Sequence, residues 1–135
     1  MIALILIFGG AYNGKLSFVK EKFNIKEDEI FTVNNDLNSI NIDYSKTVIN
    51  GFHKFIYKLS LKDIDAKEYF IKNYELFKDK IIICDDISQG IVPLKKEDRI
   101  WRENTGKCLQ YISNNSKTVY RVFCGIATVI KDEEN

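Results

Sequence analysis

Short continuous runs of hydrophobic residues alternate along this chain with stretches in which apolar residues recur every three or four positions. The continuous runs, such as Ile-Ile-Ile-Cys at residues 81–84, are rich in β-branched residues, which is typical of strands that are covered on both faces. The spacing of three and four predicts amphipathic helices between them. This alternation favours an α/β fold in which a mostly parallel central sheet lies between helical layers.

The pattern predicts ten elements along the chain. In the third predicted helix, Ile64, Phe70, Ile71, Tyr74 and Phe77 are expected to face the core. The N-terminal apolar run lacks a basic flank and is too short for a membrane span, so we expect a buried strand rather than a signal peptide. The predicted strands are residues 2–8, 29–33, 47–50, 80–84, 119–124 and 127–130, and the predicted helices are residues 15–23, 51–61, 63–77 and 96–113.

A glycine-rich stretch follows the first predicted strand, where a phosphate-binding loop would lie. Gly9 leaves the strand, four residues intervene, and Gly14 and Lys15 open a helix, which gives the spacing G-x-x-x-x-G-K. Glycines let backbone N–H groups turn inward around an anion, and the helix points its positive end at the same place. The alternative is an ordinary glycine turn before a helix. The expected nucleotide-binding residues are Gly9, Gly10, Ala11, Tyr12, Asn13, Gly14, Lys15 and Leu16.

The position that usually binds magnesium in such a loop is apolar here. Leu16 stands where the motif places Ser or Thr, and a hard cation requires oxygen ligands. Ser17 is turned about 100° further around the helix, so we expect it to face solvent. Asp85 or Asp86, directly after the most apolar predicted strand, could hold Mg²⁺ instead, although Asp also favours strand exits for turn formation.

Further candidates lie near the carboxyl ends of the predicted strands, where parallel sheets bind ligands. His53, the single histidine, follows Asn50 at the end of the third strand. It could act as a general base or nucleophile, or simply bind water at a helix N-terminus. On the last predicted helix, Arg99, Arg102 and Glu103 can share one face. That face either contacts a ligand or carries a solvated ion pair of small energetic value.

Composition narrows the classes of function. We expect residues 1–135 to form a single nucleotide-binding domain. Lys and Arg total 20 against 19 Asp and Glu, so the charge gives no reason to expect a nucleic-acid partner. Cys84, Cys108 and Cys124 form no C-x-x-C pair, which argues against a zinc site or disulfide framework and favours a cytoplasmic location. Cys84 and Cys124 fall in predicted strands, where a thiol behaves as a small apolar residue.

Several motifs follow one another in a fixed order over the first 20 or so residues and most of the last 50. They are Gly9-Gly-Ala11, Gly14-Lys15, Asp86-Ile-Ser-Gln-Gly-Ile-Val-Pro93, Arg99-Ile-Trp-Arg-Glu103, Gly106, Gln110 and Val119-Tyr-Arg-Val-Phe-Cys-Gly125. Together they resemble the adenosylcobinamide kinase / adenosylcobinamide-phosphate guanylyltransferase family. The Gly-Ile-Val-Pro stretch followed by the arginine-containing helix is the more specific part of this resemblance.

The resemblance implies a three-layer P-loop NTPase-like fold, often assembled as a homotrimer, acting in cobalamin biosynthesis. It implies phosphoryl transfer from GTP or ATP to the cobinamide hydroxyl, followed by attachment of GMP through a guanylated histidine. Lys15, Asp86, Arg99 and Arg102 occupy the positions that carry this chemistry, and Glu103 takes the place of an aspartate. The implied ligands are a nucleotide and a corrinoid, while Leu16 and Asn50 leave Mg²⁺ binding open; charge and hydropathy give no reason to expect nucleic acid or a membrane span.

The chain departs from the family pattern at several positions. Leu16 replaces the magnesium serine, Asn50 replaces an acidic residue, and Leu109 replaces an asparagine. The segment that carries the guanylated histidine in the family corresponds to residues 34–46, which contain no histidine, and His53 is not the matching position. Guanylyl transfer by the family route is therefore not expected.

Two other interpretations stay open at this point. A catalytically degenerate relative would bind nucleotide or corrinoid without turnover, which Leu16 and Asn50 favour. An unrelated small-molecule kinase would share only the phosphate loop, and the Gly-Ile-Val-Pro stretch argues against it. Lys15 and the helix containing Arg99 favour an active kinase.

Overall fold

The computed structural model describes residues 3–11, 14–87 and 95–133. Within these ranges, six strands form one sheet in the order β2-β3-β4-β1-β5-β6. All neighbouring strands are parallel except β5 and β6, which form an antiparallel hairpin. The strands are β1 Ile5–Gly9, β2 Ile30–Thr32, β3 Val48–Asn50, β4 Ile81–Asp85, β5 Thr118–Phe123 and β6 Ile126–Asp132.

The helices cover both faces of this sheet. On one face, Val19 of the first helix packs with Ile7, Ile83 and Val122. The opposite face is covered by the remaining helices, which bury aromatic side chains such as Phe52 and Phe70. This confirms the predicted α/β fold with three layers and a mostly parallel sheet. The helices are α1 Lys15–Lys22, α2 Phe52–Leu61, α3 Ala66–Lys72, α4 Tyr74–Phe77 and α5 Lys96–Asn115, and a short 3-10 helix spans Glu27–Glu29.

The prediction of one continuous helix over residues 63–77 is wrong. Asp65 caps the start of α3 by accepting a hydrogen bond from the Glu68 backbone N–H, and the helix ends at Asn73 before α4 begins. Ile71, expected in the core, is 44% exposed, whereas Phe70 is fully buried. The two side chains are adjacent in sequence and project about 100° apart around the helix, so only one of them can face the sheet.

The expectation that Cys124 lies in a strand is also wrong. Cys124 is exposed in the turn between β5 and β6, and its φ of 51° lies in the left-handed region. This conformation, followed by Gly125 at φ 75°, reverses the chain between the two strands. The other predicted strand and helix ends agree with the structure to within a few residues.

The register of the central strands brings the expected site residues to one edge. Gly9 at the end of β1 is paired with Asp85 at the end of β4, and Asn50 at the end of β3 is paired with Ile83. Carboxyl ends of parallel strands meet at the same edge. The glycine loop, Asn50 and Asp85 therefore surround one region above the sheet.

Among the helices of the described residues, none is both long enough and apolar enough to cross a membrane.

Candidate functional site

Gly9 and Gly14 are placed where a side chain could not fit or would be strained. A methyl group built on Gly9, whose φ is 154°, would lie 2.3 Å from the carbonyl oxygen of Val122. Gly14 precedes α1 with φ 82°, and a methyl group there would lie 3.5 Å from the Cα atom of Gly125. The loop is thus packed closely against the end of β5 and the hairpin turn, and glycine is needed at position 9 for this approach.

Lys15 is held over the loop rather than extended into solvent. It is only 7% exposed. Its Nζ donates a hydrogen bond to the Gly10 carbonyl oxygen at 2.6 Å and lies 2.7 Å from Oδ1 of Asp85. The ammonium group is therefore already directed at the carboxyl edge of the sheet, where an anionic ligand could take the place of the carboxylate.

His53, at the start of α2, is bound to Asp85 through both ring nitrogens. The Asp85 backbone N–H donates to Nδ1 at 3.1 Å, and Nε2 lies 3.4 Å from Oδ2 of Asp85. Because Nδ1 accepts a hydrogen bond, a neutral ring carries its proton on Nε2. Lys15, Asp85 and His53 thus form one connected group, with the carboxylate in the middle.

The electrostatics of this group favour a neutral imidazole. Burial lowers the pKa of His53 below its ordinary value, and the charges of Lys54 and Lys15 lower it further, while Asp85 opposes the shift by favouring the protonated ring. The Trp101 indole N–H donates to the His53 carbonyl oxygen at 2.8 Å. This bond fixes the start of α2 against α5.

We expect His53 to titrate below pH 6.5 with the proton of the neutral ring on Nε2. Since the folded-state pKa lies below the unfolded value of 6.5, its contribution to stability is present above pH 6.5 and is lost as the pH falls through the lowered pKa. Because His53 is the single histidine, its ring resonances can be followed by NMR without assignment ambiguity. A titration midpoint above 6.5 would show that attraction to Asp85 outweighs burial.

A cavity of about 210 Å³ opens beside Lys15 at the edge of the sheet. Asp85 lines it together with Asn50, whose amide Nδ2 donates to Thr32 Oγ1 at 3.3 Å. Ser17 is exposed, as expected from the sequence, and it also borders the cavity. Among the described residues, the lining consists of Gly14, Lys15, Leu16, Ser17, Asn50, Ile83 and Asp85.

The lining of this cavity supplies few ligands for a metal ion. Leu16 is half-buried and packs against the core on the α1 face. Among the described residues, no group of three or more His, Cys, Asp or Glu side chains could hold a metal ion. Mg²⁺ in nucleotide sites, however, takes most of its ligands from phosphates and water and needs one or two carboxylates. Asp85 fits that requirement, because its carboxylate lines the cavity that contains Lys15.

Asp86 lies on the other side of the sheet from Lys15. Its backbone N–H donates to the Gly9 carbonyl oxygen at 2.8 Å, which ties the chain to the glycine loop. Side chains of successive residues in extended backbone alternate between faces of the sheet. In agreement with this rule, Asp86 lines a second cavity, of about 200 Å³. That cavity is bounded by Leu6, Phe8, Asp86, Gly106, Leu109, Gln110 and Ser113.

The remaining predicted site residues lie on α5 or outside the described ranges. Arg99 is exposed in the first turn of α5 and Arg102 is half-buried one turn on. Glu103 forms an ion pair with Lys107 at 3.1 Å. Ala11 is exposed in the loop. Tyr12, Asn13 and the Gly-Ile-Val-Pro stretch, part of residues 88–94, lie outside the described residues.

The hydrogen bond from Trp101 to the His53 backbone could not be predicted from the sequence. The ring of Trp101 is partly buried and packs against the core. Its indole N–H also anchors the His53 backbone, and so it links the arginine-containing helix to the group around Asp85. No sequence signal reports this bond, because it joins residues far apart in the chain.

Comparison with known proteins gives one finding. The family model described as cobinamide kinase / cobinamide phosphate guanyltransferase matches residues 53–130, which is more than half of the chain, whereas no curated protein sequence matches. The matched region contains His53, β4, α5, β5 and most of β6. The match supports a nucleotide-binding transferase with a cobinamide kinase or guanylyltransferase-like role in cobalamin biosynthesis. The chain belongs to the cobinamide kinase / cobinamide phosphate guanylyltransferase family.

Proposed function

We propose that this protein binds GTP or ATP at the glycine loop and transfers the terminal phosphoryl group to the hydroxyl of cobinamide. The observation that carries the proposal is the position of Lys15, whose Nζ is 2.6 Å from the Gly10 carbonyl oxygen and 2.7 Å from Asp85 in a cavity at the carboxyl edge. Phosphoryl transfer depends mainly on positioning and charge neutralisation, and this lysine supplies both.

In the proposed reaction, the substrate hydroxyl oxygen forms a bond to the terminal phosphorus. The bond between that phosphorus and the bridging oxygen breaks, and the nucleoside diphosphate leaves. Lys15 moves from Asp85 to the phosphate oxygens and neutralises their charge. The hydroxyl proton passes to a phosphate oxygen or to water, and His53 holds the backbone and carboxylate of Asp85 in place.

Asp86, Arg99 and Arg102 are proposed to act on the acceptor side. Trp101 holds the first two turns of α5 against the start of α2, which brings the arginine-containing part of this helix near the carboxyl edge. Asp86 lines the cavity on the α5 side of the sheet. Cationic and acidic groups there could bind a corrinoid side chain and orient its hydroxyl toward the phosphate.

Magnesium, when it enters with the nucleotide, would be held by Asp85 and by the phosphates. It would neutralise phosphate charge during transfer. Asp85 is the better placed of the two adjacent aspartates because it faces Lys15, whereas Asp86 lines the other cavity. Leu16 provides no oxygen at the position where a hydroxyl would complete the site.

Leu16→Ser is expected to increase the affinity for Mg²⁺–GTP by about tenfold, because it restores an oxygen ligand to the cavity. Calorimetric titration with and without Mg²⁺ measures the change. Leu16→Ala is the matched control, since it removes the same apolar contacts without adding a hydroxyl. Equal Mg²⁺ dependence in the two variants would contradict a metal position beside residue 16.

Guanylyl transfer through a histidine is not part of the proposal. Both nitrogens of His53 face Asp85, one accepting from its backbone and one beside its carboxylate. A nucleophile needs a free nitrogen directed at the phosphorus. This arrangement supports a positioning role for His53 instead.

We also propose that residues 1–135 act as one nucleotide-binding domain. Assembly as a homotrimer remains a prediction from the family resemblance. Analytical ultracentrifugation of the full chain measures the assembly directly, and a single sedimenting trimer is the expected result.

Thermal unfolding with GTP, ATP or GDP, each with and without Mg²⁺, tests nucleotide binding. A ligand present at about 100 times its dissociation constant adds roughly 2.7 kcal/mol to the free energy of unfolding, which raises the midpoint by several degrees in a domain of this size. A Mg²⁺-dependent rise with a triphosphate supports the transferase. A Mg²⁺-independent rise favours the second candidate, a relative that binds nucleotide without turnover, for which Leu16 and Asn50 argue.

A further inference from the structure

The tip of the β5–β6 hairpin exposes two large apolar side chains beside the glycine loop. Phe123 is 61% exposed and Ile126 is 70% exposed, and they lie directly opposite each other in the antiparallel register. Side chains at opposed positions project to the same face, so the two form one apolar surface, which we call the hairpin platform. Between them lies Gly125, next to Gly14: a methyl group built on Gly14 would be in ordinary van der Waals contact with the Cα atom of Gly125, at 3.5 Å.

The strand order places this platform on the opposite side of the loop from the reacting groups. β1 lies between β4 and β5. Lys15 and Asp85 meet on the β4 side, so the terminal phosphate of a bound triphosphate belongs there. The nucleoside is attached at the other end of the phosphate chain. A nucleotide that spans the loop therefore extends toward β5 and β6, where the hairpin platform lies.

We propose that the hairpin platform binds the purine base of the nucleotide, an inference that rests on the proposed nucleotide binding by the glycine loop. The exposed ring of Phe123 can stack on a flat purine, and Ile126 extends the apolar surface beside it. Arg121 is exposed two residues before Phe123, so its side chain projects from the same face of β5. Its guanidinium group can stack on the base or donate to ring nitrogens and a carbonyl oxygen.

A second copy of the chain is the competing occupant of this surface. Val129 and Ile130, further along β6, are 54% and 55% exposed, and β6 is the edge strand of the described sheet. Edge strands with apolar side chains can associate with another chain. The contact between Gly125 and the glycine loop favours the nucleotide at the tip, because it makes the platform continuous with the phosphate site.

The test compares ligands with and without a base. Calorimetry measures the binding of GTP, ATP and inorganic tripolyphosphate to the wild-type chain and to Phe123→Ala and Ile126→Ala. We expect Phe123→Ala to weaken GTP and ATP binding by about tenfold or more and to leave tripolyphosphate affinity within about twofold. Val129→Ala is the control, because its side chain is similarly exposed but lies on the other face of β6.

The outcomes separate the two proposals. If tripolyphosphate and the nucleotides fail to bind the wild-type chain, phosphate binding by the loop is wrong and the platform proposal falls with it. If they bind and both tip variants retain the GTP and ATP affinity of Val129→Ala, only the platform proposal is wrong. Sedimentation completes the test: loss of self-association in Phe123→Ala with unchanged nucleotide affinity would assign the tip to a second copy and overturn the proposal.

Discussion

Replacing Lys15 with alanine is expected to lower the affinity for GTP and ATP on the order of 100-fold. The ammonium group of Lys15 lies 2.6 Å from the Gly10 carbonyl oxygen and 2.7 Å from Asp85, so it can turn to phosphate without a large movement. Hydrogen bonds to charged groups contribute about 1.5–3 kcal/mol each, and alanine removes them. Calorimetric titration of the wild-type and variant chains measures the loss.

Lys20→Ala is the matched control for this substitution. Lys20 lies on the same helix but forms an ion pair with Glu27 at the surface, so its removal is expected to leave nucleotide affinity unchanged. Lys15→Ala is also expected to lose about 1–3 kcal/mol of stability, because Asp85 loses its cationic partner. Equal nucleotide affinity in a folded Lys15→Ala variant would contradict the assignment of the loop.

Gly9→Ala is expected to lower the free energy of unfolding by roughly 3 kcal/mol or more. The new methyl group would lie 2.3 Å from the backbone oxygen of Val122, and the φ of 154° is one that side-chain-bearing residues rarely adopt. Because the clash is with backbone, relief requires β5 to move away from β1. Denaturant-induced unfolding measures the change in free energy.

The loss in Gly9→Ala has two causes, the clash with the Val122 backbone and the strain of a positive φ, and Gly125→Ala separates them. Gly125 has φ 75°, and a methyl group there would meet no atom within 4 Å among the described residues. It therefore reports backbone strain alone, which is expected to cost about 1 kcal/mol. Equal losses in the two variants would show that the close approach of the loop to β5 contributes nothing.

Much of the fold could be predicted from local patterns. The apolar β-branched run at residues 81–84 identifies β4, and the glycine spacing identifies the strand–loop–helix unit that begins with β1. These elements are specified by nearby residues, so periodicity and turn chemistry suffice. The prediction for residues 63–77 failed because Asp65 and Asn73 define helix ends within an apolar pattern that otherwise looks continuous.

The site could be predicted only in part, because its geometry depends on register. The sequence places Asp85 and Asp86 together at the end of a strand. Only the three-dimensional arrangement shows that Asp85 meets Lys15 and His53, whereas Asp86 lines a cavity with Leu6 and Phe8. Contacts between residues distant in sequence decide this, and local patterns carry no record of them.

The exposure of Phe123 is a second feature that local sequence patterns could not predict. An aromatic side chain in a predicted strand fits either face of a half-buried sheet, so residue type alone does not tell whether Phe123 is buried. The structure leaves it 61% exposed at the hairpin tip. Phe123 is the last residue of β5, next to the turn, and this position could not be read from its residue type.

The most direct measurement is transfer of the terminal phosphoryl group from GTP or ATP to cobinamide, followed by chromatography and mass spectrometry of the corrinoid product. The proposed function predicts cobinamide phosphate and one equivalent of nucleoside diphosphate with the wild-type chain, and neither product with Lys15→Ala. Lys20→Ala should behave as the wild type. Tight nucleotide binding without any phosphorylated corrinoid would contradict the kinase and identify the chain as a non-catalytic member of its family.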